Sequence, residues 1–274
     1  MIDERKTAII TYIDENYMEN LERDFLYTLF NRAKYQGKVI VLNYGMDHTG
    51  IEELEKRYNV SLVKCEKIMP VFSNRYIDIP KAIDSLDESI TQVALMDGGD
   101  IWFQDSITDI FEKTINGIGC VEEERIIGED DFTEYCLNKL NAVEKSRLDK
   151  VLGGRCVKNS GVICGPRDMV KETVLDVAQN MLNHGTEFFG IDQLYFNFNW
   201  YQLDGDNRVR LDELYNYVLV SNQGKYKIMG EDVYTDNNVL VKVVHNAGAN
   251  WRMLNRPFKN AHVNEEQYTG IRQL

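Results

Sequence analysis

The stretch Ile90-Thr-Gln-Val-Ala-Leu-Met-Asp-Gly-Gly-Asp-Ile-Trp-Phe-Gln-Asp-Ser-Ile-Thr-Asp-Ile-Phe-Glu112 decides the fold of this chain. Its apolar part, from Val93 to Met96, is short and uninterrupted, which is typical of a buried strand in a parallel sheet. The run ends abruptly in Asp97-Gly-Gly-Asp100. Two carboxylates therefore follow the carboxyl end of a strand, which is where open α/β sheets bind their ligands.

The acidic turn after this strand allows two interpretations. Clustered carboxylates without a basic neighbour repel each other unless a hard cation such as Mg²⁺ or Mn²⁺ lies between them. On that interpretation, Asp97 and Asp100 form a metal-phosphate site, and the two glycines permit a tight turn and close approach of a ligand. The alternative is a solvated acidic turn, because Asp and Gly are ordinary turn residues.

Composition limits the classes of protein to consider. The 274 residues are 43% hydrophobic, and the four prolines are not gathered into a linker. We therefore expect one compact domain over residues 1–274. The net charge of −13 argues against non-specific nucleic-acid binding, because phosphate contacts need a surplus of Lys and Arg.

Cysteines and apolar runs indicate the compartment. The five cysteines are scattered and form no Cys-x-x-Cys pair, which indicates reduced thiols and excludes a regular zinc site. No signal peptide opens the sequence, and no run of about eighteen apolar residues predicts a membrane span. The sequence predicts a cytoplasmic protein, and a peripheral contact with a membrane stays open.

Strand and helix patterns alternate along the chain. Short β-branched, apolar runs predict strands, and apolar residues three and four apart predict helices. The predicted strands are residues 7–13, 38–42, 60–64, 93–96, 114–121, 158–165 and 239–244, and the predicted helices are residues 21–35, 51–58, 80–89, 105–111, 133–140 and 166–182, with another beginning at 190. The alternation predicts an α/β fold with a mainly parallel sheet flanked by crossover helices.

Two later segments carry further hypotheses. Residues 122–150 are strongly charged, and they are either partner-facing structure or a solvated helical surface. The strand at 239–244 ends in His245-Asn-Ala-Gly248, which repeats the pattern of the acidic turn: a polar ligand after a strand, then a small residue that phosphate can approach. The alternative for His245 is a hydrogen-bonded structural histidine.

Several short motifs follow one another in a fixed order. They are Thr11-Tyr-Ile-Asp-Glu-Asn-Tyr17, the stretch from Val93 to Phe111, Asn159-Ser-Gly-Val-Ile163, Asp192-Gln193, and His245-Asn-Ala-Gly248 followed by Trp251 and Arg252. In this order they resemble the GT-A-fold glycosyltransferases, especially the glycogenin-like and bacterial lipopolysaccharide galactosyl- and glucosyltransferase branch. The resemblance implies a single Rossmann-like GT-A domain, with a nucleotide-sugar-binding half at residues 1–118 and a mixed acceptor-side half at residues 119–274.

The resemblance also implies the donor and its contacts. The donor would be a nucleotide-sugar, most simply a UDP-sugar, with a divalent cation (Mn²⁺ or Mg²⁺) bridging its diphosphate. Asp97, Asp100 and His245 would hold the cation. The other implied donor contacts are Tyr12, Asp14 and Tyr17 at the base and ribose, Arg75 on the approach to the metal, and Gly248 and Arg252 at the diphosphate.

On the acceptor side, the resemblance implies that Asn159, Asp192 and Gln193 face the transferred sugar and a glycan or lipid-linked acceptor. An inverting enzyme needs a carboxylate base for the acceptor hydroxyl, and Asp192 is the candidate. The glycogenin-like branch retains configuration, which would make Asp192 a contact of the acceptor sugar. The resemblance therefore favours retention.

Two departures from the family pattern affect these roles. The family spaces its carboxylates by one residue, whereas two glycines separate Asp97 from Asp100. Positions three apart along a strand do not share a face, so both carboxylates reach one ion only if Gly98-Gly99 turns the chain. Otherwise one carboxylate could bind the ribose. The family's basic residue near the diphosphate is here the offset Arg252, which leaves the role of Arg252 open.

Three rival functions share parts of this pattern. A sugar nucleotidyltransferase usually carries a Gly-rich, basic first loop, and Asp14-Glu-Asn-Tyr17 lacks it. A haloacid-dehalogenase-type phosphohydrolase would need Asp-x-Asp-x-Thr after an early strand, which this sequence lacks. A catalytically silent nucleotide-binding protein on the same fold is compatible with every motif. The sequence predicts the glycosyltransferase and keeps the first and third rivals as alternatives.

Overall fold

The structure is a computed structural model that describes residues 2–45, 48–184 and 188–247. Its strands are β1 (Thr7–Asp14), β2 (Lys38–Tyr44), β3 (Val60–Lys64), β4 (Gln92–Met96), β5 (Ile101–Phe103), β6 (Ile118–Ile126), β7 (Cys156–Pro166), β8 (Arg208–Leu211), β9 (Tyr217–Val218), β10 (Tyr226–Met229), β11 (Asp232–Thr235) and β12 (Val243–His245). Its α-helices are α1 (Met18–Asn20), α2 (Tyr27–Asn31), α3 (His48–Arg57), α4 (Val71–Asp84), α5 (Asp109–Lys113), α6 (Asp131–Asn138), α7 (Ala142–Leu152), α8 (Arg167–His184) and α9 (Ile191–Gln202). A π-helical segment, Leu21–Leu26, joins α1 to α2.

The main sheet has the strand order β3-β2-β1-β4-β7-β6-β8. Strands β3, β2, β1 and β4 run parallel, as do β6 and β8. Strand β7 is antiparallel to both of its neighbours, β4 and β6. The predicted α/β fold with a mainly parallel, helix-flanked sheet is confirmed, and β7 is the strand that makes the sheet mixed.

Helices cover both faces of this sheet. On β1, Ala8 and Ile10 belong to one hydrophobic core, while Ile9 and Ile13 belong to the other. Helices α4, α8 and α9 contribute to the first core, and the π-helical segment with α5 contributes to the second. Burial on both faces explains why the strands are continuous apolar runs instead of alternating patterns.

A smaller sheet lies at the carboxyl edge of the main one. Its order is β5-β12-β9, with β12 antiparallel to β5 and parallel to β9, and β10 pairs with β11 in a separate hairpin. Because β5 follows β4 after only four residues, this sheet is attached directly to the acidic turn. Strands β9 and β12 of this sheet come from residues 119–274, and β5 comes from residues 1–118.

Several predicted boundaries are wrong. The helix placed at 80–89 is α4, which begins at Val71 and runs through Pro80. The helix predicted at 21–35 ends at Asn31. Lys34, three residues later, takes a left-handed φ of 59°, which prevents the helix from continuing to residue 35. Other differences are α5 instead of a helix at 105–111, β6 instead of a strand at 114–121, and β12 instead of a strand at 239–244. Helix α7 and the strands β8 to β11 were not predicted.

The described residues contain no helix that is both long enough and apolar enough to pass through a bilayer. The cysteines at 65, 120, 136, 156 and 164 are all free thiols, and those at 120, 136 and 164 are buried. Burial raises the pKa of the Cys65 thiol to about 11 and that of the Cys136 thiol to about 12. These thiols are therefore protonated and poorly nucleophilic at neutral pH.

Candidate active site

The acidic turn bends sharply between β4 and β5. A Cβ added to Gly98 would lie 2.4 Å from the backbone oxygen of Tyr12 and 2.6 Å from Oγ1 of Thr11, so only glycine fits against β1 here. At Gly99 a Cβ would touch the Tyr17 ring at 3.4 Å, at the tight edge of ordinary contact. The chain thus turns at the glycine pair. This turn is what allows Asp97 and Asp100, three positions apart, to reach one ion.

Asp97, Asp100 and His245 converge on one point. Each offers a ligand atom, and these atoms lie within 4.8 Å of one another. The Nε2 atom of His245 is 3.7 Å from Oδ2 of Asp97 and 3.6 Å from Oδ1 of Asp100. Ligands of an octahedral cation held at about 2.1 Å are roughly 3 to 4 Å apart. Two carboxylates and one imidazole at this spacing fit a divalent cation with little movement.

The register of the small sheet brings His245 to the acidic turn. On β12, His245 pairs with Ile101 of β5, the residue that follows Asp100. The backbone N–H of Asn246 donates to the backbone oxygen of Asp100 at 2.8 Å. The imidazole is therefore fixed beside the two carboxylates by main-chain hydrogen bonds.

Two hydrogen-bond donors orient the Asp97 carboxylate by contacting one of its two oxygens. Its Oδ1 atom accepts a hydrogen bond from the Tyr12 hydroxyl at 2.9 Å and is ion-paired with the Arg75 guanidinium. Its Oδ2 atom faces His245. The carboxylate is thus held with one oxygen turned toward the point of convergence.

Arg75 links the candidate metal ligands to α9. Its Nη2 atom donates to Oδ2 of Asp192 at 2.7 Å, and its guanidinium carbon lies 4.4 Å from the centroid of the Tyr12 ring. Arg75 and Asp192 are both buried. Burial raises the pKa of the Asp192 carboxyl, although the Arg75 guanidinium acts in the opposite direction. One buried cation therefore serves two carboxylates, Asp97 and Asp192.

The structure also describes Asp14, Tyr17 and Gln193, which were predicted to contact the donor or the acceptor. Asp14 ends β1 and lies 3.8 Å from Nζ of Lys67, and the Tyr17 ring lies beside Gly99. The Gln193 side-chain oxygen accepts from the backbone N–H of Ser160 at 3.3 Å. The roles of these residues toward base, ribose and sugar stay predictions. Gly248, Trp251 and Arg252 lie outside the described residues.

Asn159 has more protein partners than the sequence suggested. Its Nδ2 group donates to Oε1 of Glu123 at 2.8 Å, and its Oδ1 atom accepts from the backbone N–H of Gly161 at 2.8 Å and from Nδ2 of Asn216 at 2.8 Å. Its predicted contact with a sugar stays a prediction.

Sequence reasoning missed Glu123 and Asn216. Glu123 belongs to the charged segment 122–150, interpreted from sequence as partner-facing or solvated, but its side chain is only 2% exposed and pairs with Arg125. Asn216 is buried directly before β9, and its Oδ1 atom is 2.9 Å from Nδ1 of His245. A lone Asn before a short apolar run carries no sequence signal that would identify it.

Comparison with protein-family models and with curated proteins gives no match. Among solved structures, the glycosyltransferase GlyE of Streptococcus pneumoniae TIGR4 is similar, with 16% identity and a TM-score of 0.54 over 89% of this chain and 55% of GlyE. The apo form of GlyE gives 15% identity and a TM-score of 0.54 over 91% of this chain and 57% of that one. The bifunctional glycosyltransferase WbbM, also in its apo structure, gives 13% identity and a TM-score of 0.59 over 90% and 47%.

The chain has a GT-A-like glycosyltransferase fold. At this level of identity the likeness concerns the fold, because unrelated activities can share one architecture. The chain spans about half the length of the solved structures it matches. The expected GT-A-like fold is thus confirmed, and the activity has to be argued from the site itself.

Proposed function

We propose that this chain is a nucleotide-sugar-dependent glycosyltransferase that uses a divalent cation, Mn²⁺ or Mg²⁺, to bind a UDP-sugar. The acceptor would be the hydroxyl group of a glycan or of a lipid-linked saccharide. The observation that carries the proposal is the convergence of Asp97, Asp100 and His245 at the carboxyl edge of a GT-A-like sheet. In open α/β sheets this edge is where ligands bind.

The chemistry needs positive charge at the leaving group. Breaking the bond between sugar and diphosphate gathers negative charge on the diphosphate, and a bound cation would stabilise that charge where it develops. Asp97, Asp100 and His245 would hold the cation. Arg75 and Tyr12 contact one oxygen of Asp97, and the other oxygen faces the proposed position of the cation. The protein thus arranges the ligands before the donor arrives, which lowers the cost of reorganisation.

Asp192 has a different part in this proposal. Its carboxylate is buried and ion-paired with Arg75, so it is not a free base that could readily accept a proton from the acceptor hydroxyl. That pairing favours a contact with the transferred or acceptor sugar, with Gln193 as its neighbour, and a reaction that retains configuration. Asn159 is proposed to face the sugar from the same side.

Donor hydrolysis and donor binding test the proposal together. We expect Mn²⁺ to strengthen UDP binding in calorimetry and to support hydrolysis of one UDP-sugar from a panel. The variants Asp97→Ala, Asp100→Ala and His245→Ala should each lose the Mn²⁺-dependent gain. Asp105→Ala, an exposed aspartate in the segment after β5, is the matched control and should behave as wild type.

Several outcomes would contradict the proposal. Tight, metal-independent UDP binding in all three variants would remove the role of the cation. Metal-dependent binding without turnover of any donor would favour the catalytically silent binding protein. Release of pyrophosphate from a nucleoside triphosphate and a sugar phosphate, instead of release of UDP from a UDP-sugar, would favour the sugar nucleotidyltransferase.

A further inference from the structure

A chain of buried amides leads from His245 into the protein. We call it the amide relay, and it consists of Glu123, Asn159, Asn216 and His245. Its three links are Asn159 Nδ2 to Glu123 Oε1 at 2.8 Å, Asn216 Nδ2 to Asn159 Oδ1 at 2.8 Å, and the His245 Nδ1–Asn216 Oδ1 contact at 2.9 Å. All four residues are at most 6% exposed, so water does not compete readily for these bonds.

The direction of the relay is fixed at its far end. A carboxylate is an acceptor only, so Asn159 must turn its NH₂ group toward Glu123. The backbone N–H of Gly161 is a donor only, so the Asn159 atom that faces it must be the carbonyl oxygen. These two contacts agree with each other and leave one orientation of the Asn159 amide.

The orientation of Asn159 then sets the proton on the imidazole. Because Asn159 offers an oxygen to Asn216, Asn216 must donate its NH₂ group there and present its own oxygen to His245. An oxygen facing Nδ1 requires a hydrogen on Nδ1. In the neutral ring Nε2 is then unprotonated, with its lone pair directed toward Asp97 and Asp100.

We propose that Asn216, held by Asn159 and Glu123, is a positioning residue that keeps His245 in the tautomer able to bind the cation. The inference deepens the proposed function and rests on His245 being a metal ligand there. Partners on the second ring nitrogen fix the orientation and tautomer of metal-binding histidines, and their loss typically costs 10- to 100-fold in metal affinity. Asn216 acts through His245 and does not itself touch the ion.

The tautomer can be measured without metal, in wild-type protein whose relay is intact. In full-length protein labelled with ¹⁵N at histidine, the imidazole shifts and couplings distinguish a hydrogen on Nδ1 from one on Nε2. The chain has four histidines, and His245→Ala identifies the signal. In alkaline buffer we expect the hydrogen on Nδ1. A hydrogen on Nε2 would overturn the relay and leave the proposed function standing.

Metal affinity tests the functional consequence. With MnCl₂ alone as the probe, Asn216→Leu should weaken Mn²⁺ binding by roughly 10- to 100-fold in electron paramagnetic resonance titrations. In a His245→Ala background the same substitution should change nothing further, because its effect passes through the imidazole. Asn222→Leu is the matched control on the same segment: within the described part of the chain its side chain donates to the Val218 backbone oxygen and to no member of the relay, and wild-type affinity is expected.

The outcomes separate the relay from the proposed function. If wild-type protein does not bind Mn²⁺, the proposed metal site is wrong, whichever tautomer His245 adopts. If wild-type protein binds Mn²⁺ and Asn216→Leu binds it equally well, the relay alone is contradicted. Circular dichroism would first show that the variant is folded. If Asn216→Leu does not fold, the tautomer measured in wild-type protein decides.

Discussion

Gly161 has no side chain, and the His245 imidazole occupies the space beside it. A Cβ at this position would lie 2.5 Å from Cε1 and 2.8 Å from Nδ1 of His245, and 2.8 Å from Oδ1 of Asn159. The Asn-Ser-Gly motif thus has a role that its sequence resemblance did not imply. Its glycine gives the imidazole room, and its asparagine orients the amide that contacts the ring.

The first prediction at this scale is that Gly161→Ala displaces the imidazole. We expect Mn²⁺ affinity to fall by at least about tenfold, and the free energy of unfolding to fall by about 1–3 kcal/mol from overpacking. Calorimetric titration and urea unfolding measure the two effects.

Gly205→Ala is the control, since the nearest atom to its added Cβ, Nη2 of Arg208, is 3.8 Å away. That substitution should change the free energy of unfolding by less than about 0.5 kcal/mol. Equal effects of the two alanines would refute the steric argument.

Arg75 carries the second prediction. Its replacement by Met would leave Asp97 and Asp192 without their shared cation, and breaking a buried ion pair from one side costs about 3–5 kcal/mol. Urea unfolding in the presence of a chelator should show a loss of that order for Arg75→Met.

The double variant with Asp192→Asn should recover part of the Arg75→Met loss, because one of the two unpaired carboxylates is then removed. A double variant at least as unstable as the sum of the single variants would show that the two side chains do not interact.

At the scale of elements, Glu144 connects three helices. It lies on α7, accepts a hydrogen bond from the Tyr195 hydroxyl of α9 at 2.9 Å, and lies 3.4 Å from His184 at the end of α8. Burial acts to raise the pKa of this carboxyl, but hydrogen bonds from Arg147 and Tyr195 outweigh it, and the pKa falls below its ordinary value. The ionised form is therefore favoured by folding.

The third prediction concerns the pH dependence of that stabilisation. A depressed folded-state pKa gives stability that is present above the unfolded pKa and is lost as the pH falls through the folded pKa. Glu144→Gln should lower the free energy of unfolding by about 1.5–3 kcal/mol at neutral pH, and the difference should shrink in acid. The exposed Glu172 on α8 is the control, and its Gln variant should show no such trend. A difference that grows in acid would reverse the assignment.

The sequence predicted elements that are defined by local patterns and failed where distant contacts decide. The strands at 7–13 and 38–42 were predictable because largely apolar, β-branched runs mark strands buried on both faces. Helix α4 was misplaced because Pro80 suggested a helix start, whereas the buried face of Tyr76, Ile79 and Ile83 extends the helix across the proline. Propensity gave way there to tertiary packing.

The same contrast between local patterns and distant contacts applies to the candidate site. Asp97 and Asp100 could be proposed from sequence because they come just after an apolar run and are metal-ligand types, and His245 could be proposed from the resemblance of its motif. Their approach to one another depends on Gly98 packing against β1 and on the β5–β12 register, and no local pattern encodes that register. Asn216 could not be predicted, because only its position in space distinguishes it from any other buried asparagine.

At the scale of the whole molecule, the two proposed halves share one sheet and one site. Strand β4, in residues 1–118, pairs with β7, in residues 119–274, from Gln92 opposite Pro166 to Met96 opposite Val162. His245, from the second half, lies with Asp97 and Asp100 in the candidate metal site. Both proposed halves therefore contribute residues to the one candidate metal site.

The fourth prediction follows from this arrangement. A fragment of residues 1–118 lacks β7 and β12, so we expect it to show no cooperative thermal unfolding and no Mn²⁺ binding in calorimetry. Full-length protein under the same conditions is the control. Mn²⁺ affinity in the fragment equal to that of the full chain would contradict the role of His245 as a ligand.

The pairing of β12 with β5 also has a consequence for the order of events in the cell. Translation supplies the two aspartates long before it supplies His245, and the small sheet cannot close until β12 has been made. A nascent polypeptide that ends before His245 therefore cannot offer all three proposed ligands. If the cation binds as proposed, only molecules whose folding has reached β12 would capture it, so possession of the ion would mark a completed small sheet.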